Sequence, residues 1–130
     1  MKNGYGKYKK VSVESASKEK ILLMLYEGAI RFIKQAKLAC EDGKVVEKGE
    51  LIGKAYDIVM ELASTLDFKV GGDVAVNLEQ LYIYVLEQLT RANITSDVKY
   101  LDNSLKVLVI LYDGWVQAVE QIKKKESKGA

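Results

Sequence analysis

Residues 21–33 read ILLMLYEGAIRFI, and only Glu27, Gly28 and Arg31 in that stretch are not apolar. Ile21, Leu25, Ala29 and Phe32 recur every three or four positions, and Ala36 and Ala39 continue the series. This is the spacing of a helix with one buried stripe. A second stripe, Leu22, Tyr26, Ile30 and Ile33, runs beside the first. Together the two cover roughly half the circumference, where a core-facing helix needs only about 100°.

Working outward, the same period returns three times. A first helix is predicted over about 18–41, with Ser17 as N-cap and Gly43 as C-cap. A second spans about 46–68, with Leu51, Ala55, Ile58, Leu62 and Leu66 inward. KVGGD breaks the pattern, and Asp73 can cap a third helix over 73–93 that buries Val74, Leu78, Leu81, Val85, Leu89 and Ala92. After ANITSD, with Ser96 or Asp97 as cap, a fourth runs over 97–124 on Val98, Leu101, Leu105, Leu108, Tyr112, Trp115, Val119 and Ile122. Four helices of similar length joined by short loops predict an all-α, antiparallel four-helix bundle. The expected organisation is a flexible N-terminal arm over 1–16, loosened by Gly4 and Gly6 and solvated by lysines. The bundle follows over 17–126 and a disordered tail over 127–130.

The chain has 130 residues, 48% of them hydrophobic and 29% charged, enough for one real core. The formal net charge is +2, which disfavours a nucleic-acid partner held by phosphate contacts. No apolar run reaches the roughly 18–20 residues of a membrane span, so no membrane insertion is expected. With one cysteine, Cys40, no internal disulfide can form, which suits a reducing cytoplasm. Proline is absent, so long helices run uninterrupted.

The chemical inventory is thin. There is no histidine, so the commonest general base and metal ligand is missing. Cys40 has no base to activate it, no Cys or His cluster can hold zinc, and no phosphate-binding loop follows a strand. The expectation is a protein that is not an enzyme and uses no cofactor or metal.

What the sequence has in excess is apolar surface. Beyond the inward stripes lie Val76 and Ile83 on the third helix, and Tyr100, Val107, Leu111 and Ala118 on the fourth. A wide core explains some of them. All together they point to a partner surface, for a second copy of the chain or for an amphipathic segment laid into a groove. Gly28, Gly53 and Gly114 fall inside predicted helices, each at about 1 kcal/mol relative to alanine, which suggests close backbone approach by a neighbouring helix or a bound one.

An ordered set of motifs resembles the flagellin export chaperone family, FliS. It comprises VSVESAS, LLMLYEGAIRFI, KAYDIV, LASTLD, GGDVAVNLEQLYIYV, LTRAN and the late tryptophan of LYDGW, over about residues 5–122. Lys18 stands where the family often has proline, a position that only pre-sets the first helical turn. The resemblance implies a cytoplasmic chaperone that binds the disordered C-terminal segment of flagellin, stops it polymerising and aids its delivery to the flagellar type III export gate. A client that orders on binding needs a long apolar surface to offset its lost entropy. The groove residues expected from periodicity are Leu22, Tyr26, Ile30, Val76, Ile83, Val107 and Leu111. Tyr82 and Trp115, on the family motifs, shape the bundle behind them. The resemblance implies that Tyr8 docks at the export gate. A separate expectation, not part of the resemblance, is that the arm folds over the empty groove through Val11 and Val13. A structural homodimer without a flagellin client is the alternative reading, and a weak homodimer is compatible with either.

Overall fold

The computed structural model describes residues 17–129, and all regular structure in them is helical. The elements are α1 (Ser17–Glu41), α2 (Val45–Ser64), α3 (Phe68–Thr95) and α4 (Val98–Gly129). Residues 42–44, 65–67 and 96–97 join them. Connections this short turn each helix back along its predecessor. Helix α1 packs between α2 and α4, and α3 packs between the same two from the opposite corner. The result is the antiparallel four-helix bundle expected from the hydrophobic period. The expected arm, with Tyr8, Val11 and Val13, lies outside the described residues.

Local chemistry sets the helix ends. Gly43 stops α1 in the left-handed conformation at φ 70°, and Lys44 N donates to Ala39 O across it at 2.8 Å. The Thr65 hydroxyl bonds back to Leu62 O, so α2 ends at Ser64, short of the expected residue 68. Asp67, rather than Asp73, caps α3, accepting from Lys69 N at 3.0 Å and Val70 N at 3.1 Å. The expected break at KVGGD survives as a kink at Gly72, with φ 50° and ψ −126°. Ser96 ends α3 in the left-handed conformation, and Asp97 caps α4 by accepting from Lys99 N at 3.0 Å. Helix α4 runs on through Ser127 to Gly129, where the sequence reading places a disordered tail. Helix α4 contains no proline, so no missing N–H or ring clash stops it before Gly129.

The core departs from the expected stripes in register. On α1 the fully buried residues are Tyr26, Ala29, Ile33 and Ala36, while Ile21 is exposed and Leu25 and Phe32 are half-buried. The inward direction lies between the two stripes of the opening motif. On α3, Ala75 and Tyr82 are buried, whereas Val74 and Leu81, expected inside, are exposed. Ile122, also expected inside, is exposed. Of the three interior glycines, only Gly28 meets a neighbour closely: a Cβ there would lie 3.3 Å from Ile58 Cδ1. Gly53 and Gly114 face open space.

Candidate functional site

A buried hydroxyl pair pins the bundle together. The Tyr26 and Tyr82 hydroxyls lie 2.6 Å apart, joining α1 to α3 across the diagonal, and Trp115 Nε1 on α4 donates to the Tyr26 hydroxyl at 3.2 Å. A buried phenol needs such a partner, because an unpaired one costs about 1–3 kcal/mol. Burial pushes both phenols above their usual range, and at Tyr82 the bond to Tyr26 pushes further. Both therefore stay protonated near neutrality and act as structural pins.

A second polar knot closes the far end. Lys48, only 3% exposed, donates from Nζ to Asn93 O at 3.1 Å and to the Ser96 hydroxyl. A cation at the C-terminus of α3 meets unpaired carbonyls and the negative end of the helix dipole. The Cys40 thiol donates to Ser96 O at 2.8 Å, so α1 and α2 both grip the α3–α4 turn. Between α3 and α4, Asn103 Nδ2 donates to Gln88 Oε1 at 2.9 Å.

These bonds orient the flanks of α3: Asn93 marks the side toward α2, and Gln88 the side toward α4. Ile83, 48% exposed, lines a groove between α2 and α3 with Tyr56, Leu86 and Thr90. Val76, 42% exposed, lies seven residues earlier on the same stripe of α3. Val107 and Leu111, half-buried, follow Asn103 in steps of four and so lie on the edge of α4 that faces α3. Thus Val76 and Ile83 stand on one flank of α3, and Val107 and Leu111 on the other.

The remaining expected residues disperse around α1. Ile30 lines a groove between α1 and α4 with Leu38, Val109 and Tyr112. Leu22 lines a cavity at the bundle end with Leu66, Val70, Leu78 and Trp115. Tyr26 is a correction: at 0% exposed it presents nothing to a partner, because its ring fills the core and its hydroxyl is held by Tyr82 and Trp115.

Periodicity passes over Tyr56 and Met60 of α2 and Tyr84 of α3 and turns Leu81 inward; Met60, Leu81 and Tyr84 are exposed, and Tyr56 lines the groove with Ile83. Tyr56 and Met60 stand four apart and off the inward stripe of α2, so the signal was available. Among the described residues no helix is long and apolar enough to cross a membrane, and no three Cys, Asp or Glu side chains converge as a metal site.

The sequence profile of the family described as "Flagellar protein FliS" matches residues 1–122. The chain is 41% identical to a flagellar secretion chaperone FliS of Vibrio cholerae, over 90% of this chain and 89% of that one. It is 34% identical to that of Salmonella typhimurium, over 97% of each. A solved structure described as "Crystal structure of flagellar chaperone from bacteria" shares the fold, with a TM-score of 0.76 at 24% identity, covering 92% of this chain and 97% of that one. The bundle and the extent of these matches lead to one assignment: the chain belongs to the FliS family of flagellar secretion chaperones.

Proposed function

We propose that the chain binds the disordered C-terminal segment of flagellin in the cytoplasm, prevents its premature polymerisation and presents it to the flagellar export gate. The observation that carries this reading is exposed apolar surface on both flanks of α3. Val76 and Ile83 are exposed on the α2 side, with half-buried Tyr56 lining the groove beside Ile83. Leu81 and Tyr84 are exposed seven and four residues before Gln88, on the side toward α4, whose facing edge carries half-buried Val107 and Leu111. Apolar residues that line up on neighbouring helix faces, rather than being scattered singly, are the pattern of a partner site.

A client that crosses α3 and touches both flanks folds as it binds, burying on the order of 1,000–3,000 Å² to offset its ordering entropy. Val76, Ile83, Val107 and Leu111 are the central contacts, with Ile30 and Leu22 further along the wrap. Tyr26 acts from behind by holding α1, α3 and α4 in place. Burial of apolar surface supplies the affinity without a cofactor. Covering the client removes it from the polymerising pool by mass action. Tyr8 is assigned to export-gate docking.

Seeded flagellin polymerisation tests the reading. An equimolar amount of the protein stops filament growth, and the protein co-elutes with flagellin on size exclusion. Unchanged growth, together with a concentration-independent homodimer indifferent to flagellin, would overturn it in favour of a structural dimer.

A further inference from the structure

The kink at the start of α3 requires two adjacent glycines, for different reasons. Gly72 stands at φ 50°, ψ −126°, a backbone conformation that a residue with a Cβ rarely enters. At Gly71 an added Cβ would lie 2.9 Å from the Cβ of Ala75. Residues four apart on an undisturbed helix keep their Cβ atoms about 5–6 Å apart. The turn Phe68–Gly71 is therefore folded down onto α3 instead of continuing it. A straight helix needs neither glycine and is weakened by both.

The turn is self-contained. The Asp67 carboxylate caps it at Lys69 N and Val70 N, and Gly71 N donates to Asp67 O at 2.8 Å. Its inner side forms one wall of a cavity of about 250 Å³ at the bundle end, with Leu66, Val70 and Gly71 facing Leu22, Leu78 and Trp115. Val70 stands at the rim, 85% exposed, and Phe68 is 45% exposed, so the partial burial of one aromatic side chain is the main packing that opposes the departure of the turn.

We propose that Phe68–Gly71 is a flap hinged at Gly72. It exchanges between the folded-down position and one that continues α3, in which the wall of the cavity beside Leu22 and Trp115 is lifted. The flap follows from backbone geometry and stands whichever client the bundle carries.

Trp115 lines this cavity and is the only tryptophan in the chain, so it reports the flap directly. Gly71→Ala and Gly72→Ala both oppose the folded-down position, and Gly72→Ala, which places a Cβ in a sparsely populated φ/ψ region, shifts the balance about tenfold or more toward the straight one. Acrylamide quenching of Trp115 rises in both variants while helical circular dichroism holds or increases. Gly53→Ala, whose added Cβ meets open space, quenches like the wild type. In the wild-type chain the amides of residues 69–71 exchange faster than those of residues 85–92. Wild-type quenching in both folded alanine variants, or equal protection of the two amide groups, would overturn the proposal. If Gly72→Ala does not fold, Gly71→Ala and the wild-type exchange experiment decide it.

Discussion

Placing a carboxylate at Ile83 separates a client surface from a core more sharply than any other single change. Ile83 is 48% exposed, so roughly half of the 1.5–3 kcal/mol from a full isoleucine burial is already realised in the fold, and about 1 kcal/mol remains for a partner. Ile83→Asp therefore costs the fold about 1 kcal/mol. That is small against the 5–15 kcal/mol that holds a domain together, and isoleucine and aspartate differ little in helix propensity. Client binding loses the remaining burial and must also desolvate a carboxylate against apolar atoms, which costs several kcal/mol unless the charge turns aside. The sum exceeds 1.4 kcal/mol, or a tenfold rise in Kd. Leu89, fully buried, is the comparison: Leu89→Asp buries an unpaired charge and unfolds the bundle. Fluorescence anisotropy with a labelled flagellin C-terminal peptide reads the affinity, and urea melts read the stability. A folded Ile83→Asp that binds within twofold of the wild type would refute the assignment of this flank, and an unfolded one would show that Ile83 belongs to the core.

Lys48→Met keeps the volume of the buried lysine but deletes its bonds to Asn93 O and the Ser96 hydroxyl, so a loss of about 2 kcal/mol is expected in urea melts, with gained stability as the contrary outcome. Gly53→Ala should stabilise the chain by about 1 kcal/mol, while Gly28→Ala should gain far less because Ile58 Cδ1 must yield. Equal effects at the two positions would contradict the packing described between α1 and α2. Burial raises the Tyr26 and Tyr82 pKa values above 10.0, so the unfolded chain releases these protons first. Their stabilisation is fully present below about pH 10 and is lost as pH rises beyond it. Thermal melts should show that alkaline fall, and Tyr82→Phe should reduce it.

The helices and their pairing were legible because the apolar period was strong and every connection was short. Register within the helices was harder to read. The opening motif carries two stripes of similar hydrophobicity, and the pattern alone does not say which faces inward. What centres α1 on Tyr26 and Ile33 is a hydroxyl pair with Tyr82, fifty-six residues away, which no local window contains. Lys48 was invisible for a related reason. It sits on the inward stripe of α2, three residues before Leu51, but only the carbonyl end of α3 makes a buried cation tolerable there. On α3, Asp67 captures the helix start that glycine content had assigned to Asp73, leaving the glycines as a kink.

Of the candidate site residues, Val76 and Ile83 read from the sequence as apolar positions seven apart and off the inward stripe, and their exposure agrees with that reading of the helix face. Tyr26 was misread because a tyrosine in an outer stripe resembles a contact residue when its partner hydroxyl cannot be seen. That Val107 and Leu111 lie across α3 from Ile83 depends on helix order, which periodicity does not encode.

Isothermal titration of the full chain with the last forty or so residues of its host's flagellin, a length suited to wrapping a bundle, tests the central claim most directly. Saturable binding with a clearly negative heat-capacity change, the mark of apolar burial coupled to folding, is expected. Absence of binding at tens-of-micromolar concentrations, about −6 to −7 kcal/mol, or binding with no heat-capacity change, would contradict it.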